Sequence, residues 1–316
     1  MLQQRAHSLN QDLHHTIRGQ TAAVDLAWIS FLSGGHLLLE GPPGIGKTTL
    51  ARALASSASC RFKRIQMTSD LLPGEIVGTL RPRADGSGYE FREGPIFTQV
   101  LLADELNRTG PKTQAALLEA MAEASVTVDG TTYPLPDPFW VVATQNPQES
   151  QGVFPLPESQ LDRFMAWIEM SLPTATEEKL VYLRSVQNIE SAAGAQTSDR
   201  TSPSPFSLEE INEIRKQIPS VFVDPTLIDY AQSFLSVVRA DSQTLTGISV
   251  RGGLAWIRAA QTRAWTLSRS FVLPEDFKVL AVPVLAHRLR LVQSKAPYAQ
   301  KRLVIERALQ EVPAPR

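Results

Sequence analysis

Residues 41–48 read Gly41-Pro42-Pro43-Gly44-Ile45-Gly46-Lys47-Thr48. A glycine-rich turn of this spacing works only between a buried strand and the first turn of a helix, so it constrains the fold more than any other stretch. The flanks supply both. His36-Leu37-Leu38-Leu39-Glu40 is a short apolar run that reads as a buried parallel strand. Residues 48–57 follow with helix formers, and Leu50, Ala51 and Leu54 recur at helical spacing. In such a turn the glycines let backbone amides face phosphate oxygens; Lys47 is then placed to reach the terminal phosphates, and the Thr48 hydroxyl to meet Mg²⁺. Chance alone puts this pattern into about one chain in a hundred of this length. The flanking strand and helix remove most of that risk, and the stretch from Gly41 to Thr49 is read as an ATP-binding loop.

The alternation continues downstream. Residues 64–67, 100–103, 140–144 and 164–170 read as further strands, with a helix over 111–123 that opens on Pro111. Strands alternating with helices imply a parallel sheet covered on both faces, an α/β core. Two insertions break the rhythm. Residues 74–95 are rich in glycine and proline and read as a long loop or hairpin. Residues 125–138 carry alternating β-formers around Asp129-Gly130, a strong hairpin signal. Residues 191–205 have the composition of a linker. Beyond them helical spacing dominates, with helices expected near 207–217, 225–238 and 254–267 and from Pro274. The expected layout is therefore a core over 1–190, a linker over 191–205 and an all-α domain over 206–316.

A second part of the site lies about 55 residues after the loop. Leu101-Leu102-Ala103-Asp104-Glu105 is a strand that delivers two acids to the sheet's carboxyl edge. There Asp104 is expected to hold Mg²⁺ through water and Glu105 to polarise the attacking water. Val142-Ala143-Thr144-Gln145-Asn146 ends another core strand on a polar amide, and Asn146 is placed to orient that water or touch the last phosphate.

Composition bears on what else is possible. The net charge of −1 exerts no global pull on nucleic acid or anionic membrane. One cysteine, Cys60, forms no internal disulfide and reads as a small buried hydrophobe, which points to a reducing cytoplasm. The first twenty residues lack a signal-peptide core, and no stretch has the roughly 18–20 apolar residues of a membrane span.

Taken together, residues 41–48, 102–114, 117–121, 143–147 and 154–164 resemble the MoxR branch of the AAA+ ATPases. The likeness is specific from about Ile17 to Phe164 and weaker in the helical region. It implies an AAA+ P-loop core, with residues 74–95 as the branch's helix-2 insertion, 125–138 as the hairpin before sensor 1, and 206–316 as a helical lid. It also implies roles for single residues. Asn146 matches sensor 1, Arg163 the arginine finger that reaches a neighbouring subunit's nucleotide, and Arg251 sensor 2. Ile17 and Gly19 match the segment near adenine. The branch's usual sequence has Pro and Ala where this chain has Val250 and Gly252. The resemblance further implies a homo-oligomeric, hexameric ring that acts with a von Willebrand factor A domain protein on a target enzyme.

Three uses of hydrolysis compete at this stage: remodelling of a protein partner, a nucleic-acid motor, and a nucleotide-timed assembly scaffold. Charge argues against nucleic acid. Residues 125–138 carry no Lys or Arg but include Asp129 and Asp137. In 74–95, Arg81, Arg83 and Arg92 are offset by Glu75, Asp85, Glu90 and Glu93. The same insertions hold Leu80, Tyr89, Phe91, Tyr133 and Leu135, which suit a protein partner if exposed. Residues 282–316, with seven Lys or Arg against two Glu, read as a basic lid surface facing a neighbouring subunit.

Overall fold

The computed structural model describes residues 2–85, 87–146, 152–180, 182–183, 205–293 and 297–315. Most of the expected linker, 191–204, lies outside them. Five parallel strands form the central sheet: β1 (His36–Glu40), β2 (Phe62–Gln66), β5 (Val100–Asp104), β8 (Trp140–Gln145) and β9 (Phe164–Glu169), in the order β2-β5-β8-β1-β9. These strands are near-continuous apolar runs because both faces are covered. Successive residues alternate between two buried clusters. Leu37, Leu39, Val100, Leu102 and Val142 join one, and Leu38, Leu101, Ala103, Val141 and Ala143 the other.

Helices α1 (Leu2–Thr16), α2 (Thr21–Ser33) and α3 (Lys47–Ser57) cover the first face. On the second lie the short α4 (Pro73–Val77), α5 (Pro111–Glu123) and two hairpins. The first hairpin pairs β3 (Gly78–Pro82) with β4 (Tyr89–Glu93), and the second pairs β6 (Ser125–Val128) with β7 (Thr131–Pro134). The second turns on Asp129 and Gly130, both at positive φ (47° and 79°), as a tight Asp-Gly hairpin requires. The one-turn α6 (Glu158–Leu161) precedes β9, and residues 175–180 form α7 after it.

The lid comprises α8 (Leu208–Gln217), α9 (Pro225–Ala240), α10 (Val250–Thr266), α11 (Pro274–Leu285) and α12 (Tyr298–Glu311), with a small ladder of β10 (Thr244–Thr246) and β11 (Arg290–Leu291). Helices α8, α9 and α10 start at side-chain caps. The Ser207 hydroxyl accepts from Glu210 N at 3.2 Å while Glu210 Oε2 accepts from Ser207 N at 2.9 Å. Asp224 accepts from Thr226 N at 2.9 Å, and Ser249 from Gly252 N at 3.1 Å. That last cap starts α10 four residues before the expected Leu254. Gly252 and Gly253 weaken helix propensity in the sequence, yet Gly252 is needed: a Cβ there would lie 2.6 Å from Ile248 Cγ2 and 3.0 Å from Arg288 Cδ.

Lid and core share one buried cluster that contains Trp28, Phe31, Phe206, Trp256 and Phe277. The seam between them is polar. Arg288 pairs with Asp162 and donates to the Phe164 carbonyl at 2.7 Å, and His287 Nε2 donates to the same carbonyl at 3.0 Å. Lys301, also buried, lies 3.5 Å from Glu158, and Arg290 lies 3.0 Å from it. Arg302 pairs with Glu306, and Arg307 with Asp241. The five described Lys and Arg residues of 282–316 each pair with an acid, and three of them with Asp162 or Glu158 at the core's edge. Among the described residues, no helix is long and apolar enough to cross a membrane.

Candidate active site

Strands β5, β8 and β1 are neighbours, so their carboxyl ends form one edge, the place where open α/β sheets bind ligands. The loop 41–46 leaves β1 there, Asp104 ends β5, and Asn146 follows β8. A cavity of about 310 Å³ opens between them, with Gly44, Gly46, Lys47 and Thr48 on one side and Asp104, Glu105 and Asn146 on the other.

The loop's shape depends on its glycines. Gly44 and Gly46 sit at φ +82° and +95°, where a side chain strains the backbone. At Gly41 the constraint is crowding: a Cβ would lie 2.5 Å from the Met170 carbonyl oxygen. Ile45 is buried in the core below and pins the loop, so it presents backbone alone to the cavity. Pro43 lines the cavity mouth, and Pro42 stiffens the turn between it and Gly41. No side chain caps α3, so its first-turn amides have no intrahelical acceptor and form an anion site. Lys47 Nζ donates to the Gly41 carbonyl at 2.6 Å. Burial lowers its pKa, while Asp104, Glu105 and Glu40 pull it back up.

The two acids are held firmly. Asp104 Oδ1 accepts from the Thr144 hydroxyl at 2.6 Å. Its Oδ2 accepts from Arg64 Nε at 3.0 Å and Nη2 at 2.6 Å. Thr144 Oγ1 in turn accepts from Glu105 N at 2.8 Å. Glu105 itself adopts a left-handed backbone (φ 58°, ψ 50°), a conformation of limited access for a residue with a side chain. Its Oε2 accepts from Gln66 Nε2 at 2.7 Å and lies 3.2 Å from Arg108 Nε. Amides and a lysine on one wall suit phosphates. A hydroxyl and a carboxylate are hard oxygen donors of the kind Mg²⁺ takes. The residues therefore fit a nucleotide with its metal.

The structure brings together residues 41–49, Asp104, Glu105 and Asn146. It places the other sequence-derived candidates elsewhere. Ile17 is buried and Gly19 turns at φ +70° against Pro173 and Glu177, between α1 and α2. The next residue, Gln20, donates to the Ser171 carbonyl at 2.6 Å. This segment packs on the chain that follows β9 and does not line the cavity. Arg163 and Arg251 do not line it either. Arg163 lies on the seam between Asp162 and Phe164, its Nε enclosed without an acceptor among the described residues. Arg251 is exposed in the first turn of α10, whose cap Ser249 contacts Asp162 at 3.4 Å. Three site residues were not singled out from sequence: Arg64, Gln66 and Thr144. Thr144 lies two positions before Asn146 on one strand, which was a usable signal; Arg64 and Gln66 depend on which strand lies beside β5.

Residues 36–166 match the family described as "ATPase family associated with various cellular activities (AAA)", and residues 238–311 match the AAA lid domain. The chain is 39% identical to an uncharacterized protein, YeaC, of Bacillus subtilis, over 97% of this chain and 95% of that one. It is 36% identical to Chaperone MoxR1 of Mycobacterium tuberculosis, over 96% and 81% of the two chains. Protein MoxR of Paracoccus denitrificans shares 30% identity over 96% and 94%. A crystal structure from Cytophaga hutchinsonii, provisionally assigned as an ATPase, superposes with a TM-score of 0.86 at 34% identity, covering 100% of this chain and 96% of that one.

Proposed function

The chain belongs to the MoxR family of AAA ATPases, and on that premise we propose that it hydrolyses ATP in the cavity at residues 41–49 to drive chaperone-like remodelling of a protein partner. One observation carries the site: the loop, Asp104, Glu105 and Asn146 converge from three adjacent strand ends on a single cavity. ATP bound with Mg²⁺ supplies the phosphoanhydride bond and a positive centre beside its phosphates. The chain's own residues do the rest. Loop amides and Lys47 orient the phosphates, and Thr48 and Asp104 hold the metal. Glu105 accepts the proton of the attacking water, which Asn146 orients. For Ile17 and Gly19 the adenine-side role rests on the family resemblance alone, since that segment packs outside the cavity.

Arg163 lies on a seam away from this cavity, which supports its acting on the nucleotide of a second copy, while Arg251 is read as sensor 2. The working unit in this reading is a closed ring, hexameric as the family resemblance implies. The partner chemistry also comes from that resemblance: a von Willebrand factor A domain protein, and a target enzyme that the pair matures. A reducing cytoplasm suits Cys60, whose thiol pKa burial pushes up to about 11, leaving it unreactive.

The reading is tested at two positions. Lys47→Ala is expected to abolish binding of a fluorescent ATP analogue. Glu105→Gln is expected to keep binding within about threefold and to lose turnover by about 10²-fold or more, the range of a lost general base. Turnover near wild type in Glu105→Gln removes Glu105 from the chemistry.

A further inference from the structure

Arg163 is flanked by two residues that the lid holds. The short turn Ala286–Arg288, which ends α11, sets His287 and Arg288 against the end of α6 and the start of β9. All three guanidinium nitrogens of Arg288 are engaged. Nε donates to the Val284 carbonyl at 3.0 Å within the lid, Nη1 pairs with Asp162, and Nη2 donates to the Phe164 carbonyl at 2.7 Å. His287 Nε2 donates to the same carbonyl at 3.0 Å. The register of β9 on β1 slips at this point, with His36 level with Phe164 but Leu37 with Ala166. Irregularities of this kind re-aim one residue of a strand, and here the lid takes the Phe164 carbonyl. Between the two clamped neighbours, Arg163 N donates to the Gln160 carbonyl at 3.2 Å.

We propose that Arg288 is a positioning residue that fixes the chain on both sides of Arg163 and so aims that arginine at the loop of a neighbouring copy. This rests on the reading of Arg163 as the arginine that acts between subunits. Arg288 is not itself that arginine, because its side chain is 3% exposed and its nitrogens are spent inside its own chain. What it supplies is a planar fork that reaches a carboxylate and a carbonyl two residues apart, which a lysine ammonium cannot span in the same way. Placement matters because a shift of about 1 Å in a group that acts on the reacting atoms can cost about 10²-fold in rate. The lid thereby sets the geometry of an arginine that the core presents to another subunit.

The test reads complementation as well as turnover. Each variant is assayed alone and mixed equally with Lys47→Ala under conditions of subunit exchange. Arg288→Gln alone is expected to lose turnover about ten- to hundredfold. Its loop is untouched, so it is expected to bind methylanthraniloyl-ADP within about threefold of wild type. In the mixture, half the loops belong to Arg288→Gln, and half of those face a well-held Arg163 on a Lys47→Ala subunit. Turnover is therefore expected to rise to about a quarter of wild type. A folding defect, or a defect of its own loop, predicts only dilution, to about half the activity of Arg288→Gln alone. Arg163→Ala, mixed in the same way, is the reference. If it recovers while Arg288→Gln does not, or if Arg288→Gln alone turns over like wild type, the clamp is overturned and the assignment of Arg163 stands. If Arg163→Ala fails to recover, that assignment fails and takes the clamp with it. Should Arg288→Gln not fold, as judged by its melting curve, Arg288→Lys keeps the charge beside Asp162 without the fork and decides by the same rule.

Discussion

At the scale of single residues, strand β1 carries a titratable group at each end, and burial pushes the two in opposite directions. His36 accepts from Val141 N on Nδ1 and donates from Nε2 to the Met121 carbonyl, both at 3.0 Å. Burial lowers its pKa to about 4. A base with a depressed folded pKa contributes stability above its unfolded value near 6.5, and loses it as pH falls toward 4. Glu40, immediately before the phosphate loop, is the reverse. Burial raises its pKa to about 7 and the facing Glu169 adds to the rise, while Trp167 and Lys47 oppose it. Its contribution is full below about pH 4.5 and is lost as pH rises through 7. Glu40→Gln is therefore expected to stabilise the fold by about 1–3 kcal/mol at pH 8, after allowance for solvent screening, and by almost nothing at pH 4.5. Melting curves of both proteins across that range check it; a difference that does not grow with pH would refute the buried-acid account.

At the scale of elements, the two hairpins are joined. Phe91 of β4 and Tyr133 of β7 stack with ring centroids 3.9 Å apart and planes at 15°, and Phe91 meets Phe97 edge-on at 5.6 Å. Leu135 is buried and Leu80 half-buried, so of the five apolar residues expected to await a partner, Tyr89 alone is largely exposed, at 68%. A double-mutant cycle with Phe91→Ala and Tyr133→Ala should give a coupling of about 0.5–1.5 kcal/mol in urea unfolding. A coupling near zero would mean that the hairpins are independent. This contact was not legible in the sequence, because it depends on how two separate insertions fold over one face. The core strands were legible because buried parallel strands are bare apolar runs. The phosphate loop was legible because its backbone requirement is local. Helix α2 was missed for the opposite reason: it is buried over Ala27–Leu32 and shows no polar face to mark a helical period. Ladder β10–β11 is too short to signal, and the grip of Arg64 and Gln66 on Asp104 and Glu105 follows from strand order, which no local pattern encodes.

At the scale of the whole molecule, the lid is fixed to the core edge rather than hung over the loop. Helix α11 packs on β9, α10 packs on α2, and Arg288 with Asp162 ties the seam. Arg163 lies on that seam, so in the proposed ring it serves the loop of a neighbour. This makes a quantitative expectation. Lys47→Ala lacks a working loop but keeps Arg163; Arg163→Ala keeps the loop but lacks the arginine. Each alone should lose turnover, Arg163→Ala by about 10³-fold or more if it acts as fingers do in related phosphoryl transfer. Mixed in equal amounts under conditions of subunit exchange, half the loops are intact, and half of those face an intact arginine. About a quarter of the contacts in a closed homo-oligomer are then complete, so turnover should recover toward about a quarter of wild type. An arginine acting within its own subunit predicts no recovery at any ratio. Mixing wild type with the Lys47→Ala/Arg163→Ala double variant controls for exchange, since it must dilute activity without restoring any. Recovery that falls on dilution along with the assembled fraction, followed by light scattering, would tie the effect to contact between copies.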